Sequence, residues 1–353
     1  MFQPPRCPNR ACPQHYHPMP LFYVRRGSYH PRCRSRPVPR FRCRICKRGF
    51  SRQTFRADYR DHRPSLNAPL LLLLVSGIGL RQAARNLVLS PRCIELKARK
   101  IARHLRCLSL NLRRPLEGTC DFQLDEFESY EGRRNTRPLS IPMLIERESR
   151  FIVWAEAAPI RPHGRMSPAR ERAIEEDRKR FGRRKDLSRR SVYRTLRRGA
   201  ELAAKHATIV LSSDEKSTYP GLARRAFGNR RLEHQRTNSE LARGTWNPLF
   251  PINHSEAMAR DLMGRLRRDS WLVSKKRRYL DLALALWSAH RNYARKRFNH
   301  DEDESPAQLL GFVPRRLTPG ELLGWRQDWG PRSVHPLSRG AKSVEQELIT
   351  RAA

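Results

Sequence analysis

The chain is poor in acidic charge: 34 Asp+Glu stand against 73 Lys+Arg, a formal net charge of +39. A protein this one-sided does not gather cationic ligands over its surface; it holds polyanions, nucleic acid foremost. Long hydrophobic runs are also missing. The longest, Leu70 to Val75, falls far short of the ~20 residues that span a bilayer, so no membrane partner is expected. The N-terminus opens with prolines and a cysteine and lacks a signal-peptide pattern. Together these place the protein in the cytoplasm, at the nucleoid, where disulfides are not expected from its eight cysteines.

Five of those cysteines, Cys7, Cys12, Cys33, Cys43 and Cys46, crowd into the N-terminal segment. Cys7 with Cys12 and Cys43 with Cys46 form two close pairs, each short enough to turn both thiolates toward one tetrahedral Zn²⁺. Arg40-Phe-Arg-Cys43 and Lys47-Arg-Gly-Phe50 give the second pair a ribbon setting. There a basic turn and Gly49 aim backbone amides at sulfur, while Phe41 and Phe50 supply a small core. His15, His17 and Cys33 are alternative ligands, and the same residues also fit a basic arm with unpaired thiols. A zinc ribbon by itself implies contact with nucleic acid or protein, not catalysis.

From residue 65 to 107 the period becomes helical. Leu66 to Val75 is an apolar helix, Ser76-Gly-Ile-Gly79 breaks it, and Leu80, Ala83, Ala84 and Leu87 repeat on one helix face. Ser90 is an N-cap and Pro91 a first helical residue. A third helix then buries Ile94, Ala98, Ile101, Ala102 and Leu105. Its other face carries Arg92, Lys97, Arg99, Lys100 and Arg103. Three short helices with a basic third one read as a helix-turn-helix, its third helix offering these side chains to phosphates and guanine edges in a major groove. The plainer alternative is a three-helix packing unit with a solvated basic face.

Beyond Pro115 the chain turns strand-like. Three strands, at Cys120 to Tyr130, Leu139 to Ile145 and Phe151 to Ala157, suggest a meander, and the first carries Asp125. A polar insertion over 161–190, solvated and partly helical or disordered, leads to a helix at Ser191 to Ala204. The β-branched run Thr208-Ile-Val-Leu211 then ends at Asp214, and Tyr219 to Phe227 reads as a helix. Strand, strand, strand, helix, strand, helix is the order of an RNase H-like core. In that order, acids on the first and fourth strands lie side by side and can hold two Mg²⁺ ions about 3.5–4 Å apart. Alternation along the strand puts Glu126 on the face opposite Asp125.

The two Cys pairs, the helical reader, Leu124-Asp125-Glu126, Ser213-Asp214, Asn247-Pro-Leu-Phe-Pro-Ile-Asn-His254 and Arg265-Leu-Arg-Arg-Asp-Ser-Trp-Leu-Val-Ser-Lys-Lys276 together resemble bacterial insertion-sequence transposases of the DDE type. The resemblance covers most of the chain. It implies in-line attack on phosphodiesters, first by water and then by a DNA 3′-hydroxyl, with no covalent protein–DNA intermediate. Catalytic Mg²⁺ (or Mn²⁺) would sit on Asp125 and Asp214, and a structural Zn²⁺ on the cysteines. The implied partners are duplex DNA, both terminal inverted repeats and target, and a second copy of the chain, since two ends must be brought together. The family's third acid falls near Asn253, which is favoured, or Glu256 one turn on. Asn253 and Glu256 also read as a capping box for a helix over Ser255 to Arg267. A basic zone with Arg265, Arg268 and Lys275 follows, suited to DNA backbone.

The expected organisation is α/β (α+β): a zinc ribbon over 1–62, a helix-turn-helix over 65–107, an RNase H-like catalytic domain over 115–276, and a helical region over 277–353. In that last region an apolar helix runs from Tyr279 to Arg297, Trp325 and Trp329 act as anchors, and the last residues are loose. The competing reading is a non-catalytic DNA-binding regulator or a decayed transposase, which has no use for two strand-borne aspartates. An RNA-binding protein is disfavoured because the helix-turn-helix suits duplex DNA.

Overall fold

The computed structural model describes residues 2–326 except 33, 34, 239, 243, 268–270 and 301. The readings of Cys33, Arg268, Trp329 and the C-terminal tail lie outside the described residues.

The N-terminal unit is a one-turn helix α1 (Pro13–Tyr16) and three short strands, β1 (Tyr23–Tyr29), β2 (Val38–Cys43) and β3 (Gly49–Ser51), paired antiparallel in the order β1-β2-β3. Phe41 faces Phe50 across β2 and β3. With Phe22 and Phe55 they enclose a core completed by Cys7, Cys12 and Cys43. A core of four phenylalanines and some thiols is too small to hold a fold alone, which is why such units carry a metal or disulfide staple.

Helices α2 (Asn67–Val75), α3 (Leu80–Asn86) and α4 (Pro91–Leu112) follow. Ser90 caps α4 by accepting from the Cys93 N–H at 3.2 Å. The stripe Ile94, Ile101, Ala102 and Leu105 continues through Leu108 and Leu112, so α4 runs well past the length of a compact reader helix. Its apolar stripe, with Leu70, Leu71 and Ala83, packs into one core with Phe122, Leu124, Ile209 and Leu211 of the central sheet. The helical segment therefore shares its interior with the sheet.

That sheet contains β4 (Thr119–Tyr130), β5 (Pro138–Glu146), β6 (Ile152–Ala155), β7 (Ala158–Pro159), β8 (Thr208–Asp214) and β9 (Leu232–Thr237). The order is β6-β5-β4-β8-β9, with β7 beside β5. β5 is antiparallel to β4 and β6, whereas β4, β8 and β9 run parallel. Parallel neighbours need crossover helices. These are α6 (Ser188–Leu202) before β8 and α7 (Tyr219–Phe227) before β9. One sheet face presents Phe122, Leu124 and Leu144 to Val192, Leu196 and Phe227 of α6 and α7. The other presents Phe127, Ile141, Met143 and Ile145 to α8 (Phe250–Leu262) and α9 (Arg277–Tyr293). Two short helices, α10 (Pro306–Leu309) and α11 (Pro319–Gly324), close the described chain, with Trp325 buried.

Of the two readings of the insertion over 161–190, the partly helical one holds: it contains α5 (Pro168–Phe181), whose Ser167 cap accepts from the Arg170 N–H. Three further local features differ from the sequence reading. β9 has no apolar signature because it is an edge strand, with Glu233, Gln235 and Arg236 exposed. α9 spans Arg277–Tyr293 instead of ending at Arg297. Finally, α8 starts at Phe250 with Leu249 as N-cap, and the Asn253 N–H already donates to the Leu249 carbonyl at 3.0 Å. Asn253 thus lies inside the helix, and the capping-box reading of Asn253 with Glu256 is incorrect. The Pro251 ring, preset to helical φ, allows the earlier start. No described helix is long and apolar enough to cross a membrane.

Candidate functional site

A candidate N-terminal metal centre is formed by Cys7, Cys12, Cys43 and Cys46, whose sulfurs all lie within 4.8 Å of one another. The Cys7–Cys46 and Cys12–Cys43 separations are 3.5 and 3.8 Å. A tetrahedron with Zn–S bonds of about 2.3 Å has edges near 3.8 Å, so the residues present fit a Zn²⁺ ion. His15 is not a ligand: its Nδ1 meets the Cys7 carbonyl oxygen at 2.7 Å. His17 is exposed. Burial and neighbouring thiols push the Cys7 thiol up, while at Cys46 burial is outweighed by the Arg48 N–H and surrounding hydrogen bonds, bringing it down to about 7. Four thiols in one pocket cannot all ionise without a cation to share. Among the described residues these cysteines are the group of three or more potential ligands drawn this close.

The acidic site is set by strand register. β4 pairs with β8 from Thr119↔Thr208 to Leu124↔Ser213. Asp125 and Asp214 each follow that last pair by one residue, on parallel strands about 4.8 Å apart. Leu124 and Leu211 face the α6–α7 core, so alternation puts Asp125 and Asp214 on the opposite face, where α8 packs over β4 and β5. There β8 ends, while β4 continues to Tyr130, paired with β5 alone. The exposed edge of β4 forms one wall of a cleft of about 510 Å³. Residues 125–130 line it consecutively, which is how both Asp125 and Glu126 border it despite facing opposite ways.

Glu256 projects from α8 into the same cleft and is 2% exposed, whereas Asn253 is half-buried and does not line it. The helix is held there by Gln123, a fully buried residue that sequence reasoning misses. Its amide donates to the Pro248 carbonyl at 2.8 Å and its oxygen accepts from the Ile252 N–H at 3.1 Å. This satisfies one of the free first-turn N–H groups of α8 and latches the helix to β4 two residues from Asp125. Asn247 shapes the approach, accepting from the Leu249 N–H at 2.8 Å and donating to the Ala242 carbonyl at 2.9 Å. A polar residue at an inward strand position is the available signal for Gln123.

Glu126 occupies the α7 side. It accepts from Lys216 Nζ at 2.6 Å, from the Tyr219 hydroxyl at 2.9 Å and from the Ser140 hydroxyl. The Lys216 N–H donates to Asp214 Oδ1 at 3.2 Å. Ionisation of Tyr219 is opposed first by burial, then by Glu126, Asp214 and Asp125, so the three carboxylates share one electrostatic neighbourhood. Cationic residues rim the cleft: Arg134, Arg170, Arg260 and Arg267, with His163 paired to Glu128 at 2.9 Å. Arg170 of α5 is clamped by the carbonyls of Asn135, Arg165 and His163, so the insertion helix forms part of the rim.

The expected DNA-contacting residues separate. Arg103 and Lys275 are exposed. Arg92 and Arg99 sit at the surface with Glu95 between them. Lys100 donates to the Tyr59 carbonyl at 2.5 Å. Arg265 is turned inward, donating to Ser274 Oγ at 2.9 Å, and burial lowers its pKa. Lys97 has no access to DNA. It is 5% exposed and its ammonium is bound by both Asp61 oxygens at 2.6 Å, by the Arg63 carbonyl and by Asn67. Its helix position points under the 59–67 loop, a neighbour that helical periodicity does not reveal.

The sequence matches no protein-family model and no curated protein.

Proposed function

We propose that the chain is a DDE-type transposase, cutting DNA at the ends of an insertion sequence and joining them to target DNA. The observation that carries this is that Asp125 shares an arginine-rimmed cleft with Glu256 of α8, while Asp214 stands level with Asp125 on the adjacent parallel strand, outside the cleft lining. The strand order, with β5 antiparallel to its neighbours, supports an RNase H-like core. In this reading Glu256, not Asn253, is the third acid.

The donor set is hard carboxylate oxygen, which suits Mg²⁺ or Mn²⁺. Asp125, Asp214 and Glu256 would hold the metal, which when bound supplies charge stabilisation to the attacking and departing oxygens of an in-line displacement. Arg134, Arg260 and Arg267 attract the phosphates of the strand lying along the open edge of β4. Gln123 fixes α8, and so Glu256, against β4. Lys216, Tyr219 and Ser140 occupy the Glu126 carboxylate, leaving Asp125, Asp214 and Glu256 to bind metal.

A nicking assay on duplex DNA carrying the element's terminal repeats, with Mg²⁺ or Mn²⁺, tests the proposal. Asp125→Ala, Asp214→Ala and Glu256→Ala are expected to abolish cleavage while DNA binding persists, and Asn253→Ala to retain cleavage. Full cleavage by Asp214→Ala would overturn the assignment. Binding with no cleavage by the wild-type chain, under any divalent metal, would favour the regulator or decayed-transposase reading.

A further inference from the structure

A second concave surface lies on the N-terminal unit, on the ribbon sheet. It is a groove of about 710 Å³ lined by Arg26, Tyr29, Arg40, Phe41, Arg42, Lys47, Gly49, Phe50, Ser51, Thr54 and Tyr59, with no carboxylate among its lining residues. Alternation along β2 explains its chemistry. Phe41 and Cys43 turn inward to the metal-stapled core, so Arg40 and Arg42 are exposed. Among the described residues Arg42 is engaged through its Nε alone, donating to the Lys47 carbonyl at 3.2 Å, and Lys47 Nζ donates to the Arg44 carbonyl at 2.6 Å. The nearest acid by sequence, Asp58, is already bound by Arg56 at 2.8 Å. Tyr29 and Tyr59 are half-buried in the same lining.

We infer that this groove binds a single strand of nucleic acid, its phosphates on Arg26, Arg40, Arg42 and Lys47 and its bases against Tyr29 and Tyr59. Cations with no acidic partner among the described residues attract phosphate in any nucleic acid. Aromatic side chains within the groove discriminate further. A duplex presents its phosphates and groove edges and keeps its bases stacked, whereas an unpaired strand offers base faces that stack on aromatic rings without sequence preference. A basic groove interleaved with tyrosines is therefore built for an unpaired strand. The inference is compatible with the proposed DNA processing, where frayed ends would supply such a strand, but it does not depend on cleavage.

Fluorescence anisotropy of the full-length, zinc-loaded protein with a labelled oligothymidylate and with a duplex of equal length tests it across a salt series. The variant Arg40→Ala/Arg42→Ala/Lys47→Ala is expected to weaken oligothymidylate binding at least tenfold and to reduce its salt slope by about 2, at roughly 0.7 per single-strand phosphate contact. Tyr29→Leu/Tyr59→Leu is expected to weaken it at least about thirtyfold with the salt slope unchanged, the signature of two lost stacking contacts at about 1 kcal/mol or more each. Zinc content and thermal melting identify any variant that fails to fold. For such a variant, ultraviolet cross-linking of the wild-type protein to oligothymidylate answers the same question, with adducts expected at Tyr29 or Tyr59. Oligothymidylate binding unchanged by both variants, adducts confined to other segments, or a charge effect on duplex alone would overturn the inference. Because Asp125→Ala leaves the groove intact, failure of the cleavage assay and failure of this one are distinguishable.

Discussion

Replacing Lys97 with alanine separates a folding role from a DNA-reading role on helix α4. Lys97 and Asp61 have side chains only 6% and 5% exposed and meet at 2.6 Å. Removing one partner of a buried ion pair leaves an uncompensated charge and costs about 3–5 kcal/mol. For a chain of this size, at about 2 °C per kcal/mol, Lys97→Ala is expected to lower Tm by roughly 6–10 °C. Calorimetry or circular dichroism at pH 7 reads this directly. The pH dependence carries a second signature. Burial pushes the Asp61 carboxyl up, but the Lys97 ammonium, the Arg63 N–H and Asn67 outweigh it and hold it below its ordinary 3.8. A carboxyl depressed on folding contributes stability that is complete above its unfolded pKa and is lost as pH falls through the folded value. The wild-type protein is therefore expected to keep this contribution down to about pH 4 and to lose it below, whereas Lys97→Ala lacks it throughout. Below the titration range of Asp61 the two proteins converge. If Lys97 instead touched phosphate, the variant would keep its Tm and lose about 0.9 from the salt slope of duplex binding. That result would refute the buried-pair account.

Three further outcomes follow from the geometry. Gln123→Leu removes two buried hydrogen bonds and strands the Ile252 N–H, so it is expected to destabilise by about 2–4 kcal/mol. It should also lower cleavage without changing the Kd for DNA; a variant that cleaves at the wild-type rate would show that Glu256 does not depend on the latch. Cys43→Ser is expected to reduce bound zinc from one ion per chain to near zero by elemental analysis. Chelation of the wild-type protein should abolish hydrogen-exchange protection of β1 to β3, because metal binding and folding are one equilibrium in so small a core; full protection in the metal-free chain would contradict this. Arg170→Ala is expected to release the start of α5, seen as faster exchange over 163–170, with α6 unaffected.

Much of this molecule is legible in residue order. The two cysteine pairs announce their cluster through spacing alone, since ligands a few residues apart on a turn have few other geometries. Helix α7, the N-cap at Ser90 and the strand bearing Asp214 can be read close to their observed limits, because apolar period and capping chemistry are local. Alternation also assigns Glu126 correctly to the face opposite Asp125. The start of α8 is misplaced by sequence because Asn253 imitates a cap, while the actual start is held by Gln123, distant in sequence. Strand β9 escapes notice because an edge strand needs no apolar face, and the insertion is left open between helix and disorder because the surface of α5 is almost wholly polar.

The sequence by itself determined which groups the chain carries: two cysteine pairs at metal-ligand spacing, one aspartate within a strand and one at a strand end, and a large excess of cations. Only the tertiary structure decided which residues meet. It brought Cys7 to Cys46 and Asp125 level with Asp214, turned Lys97 and Arg265 inward, and put Glu256 rather than Asn253 into the cleft. The physical reason is that a side chain's type and local period are encoded within a turn or two of backbone. Its neighbours are set by strand register and helix packing, through contacts such as Gln123 to Ile252 that span more than a hundred residues.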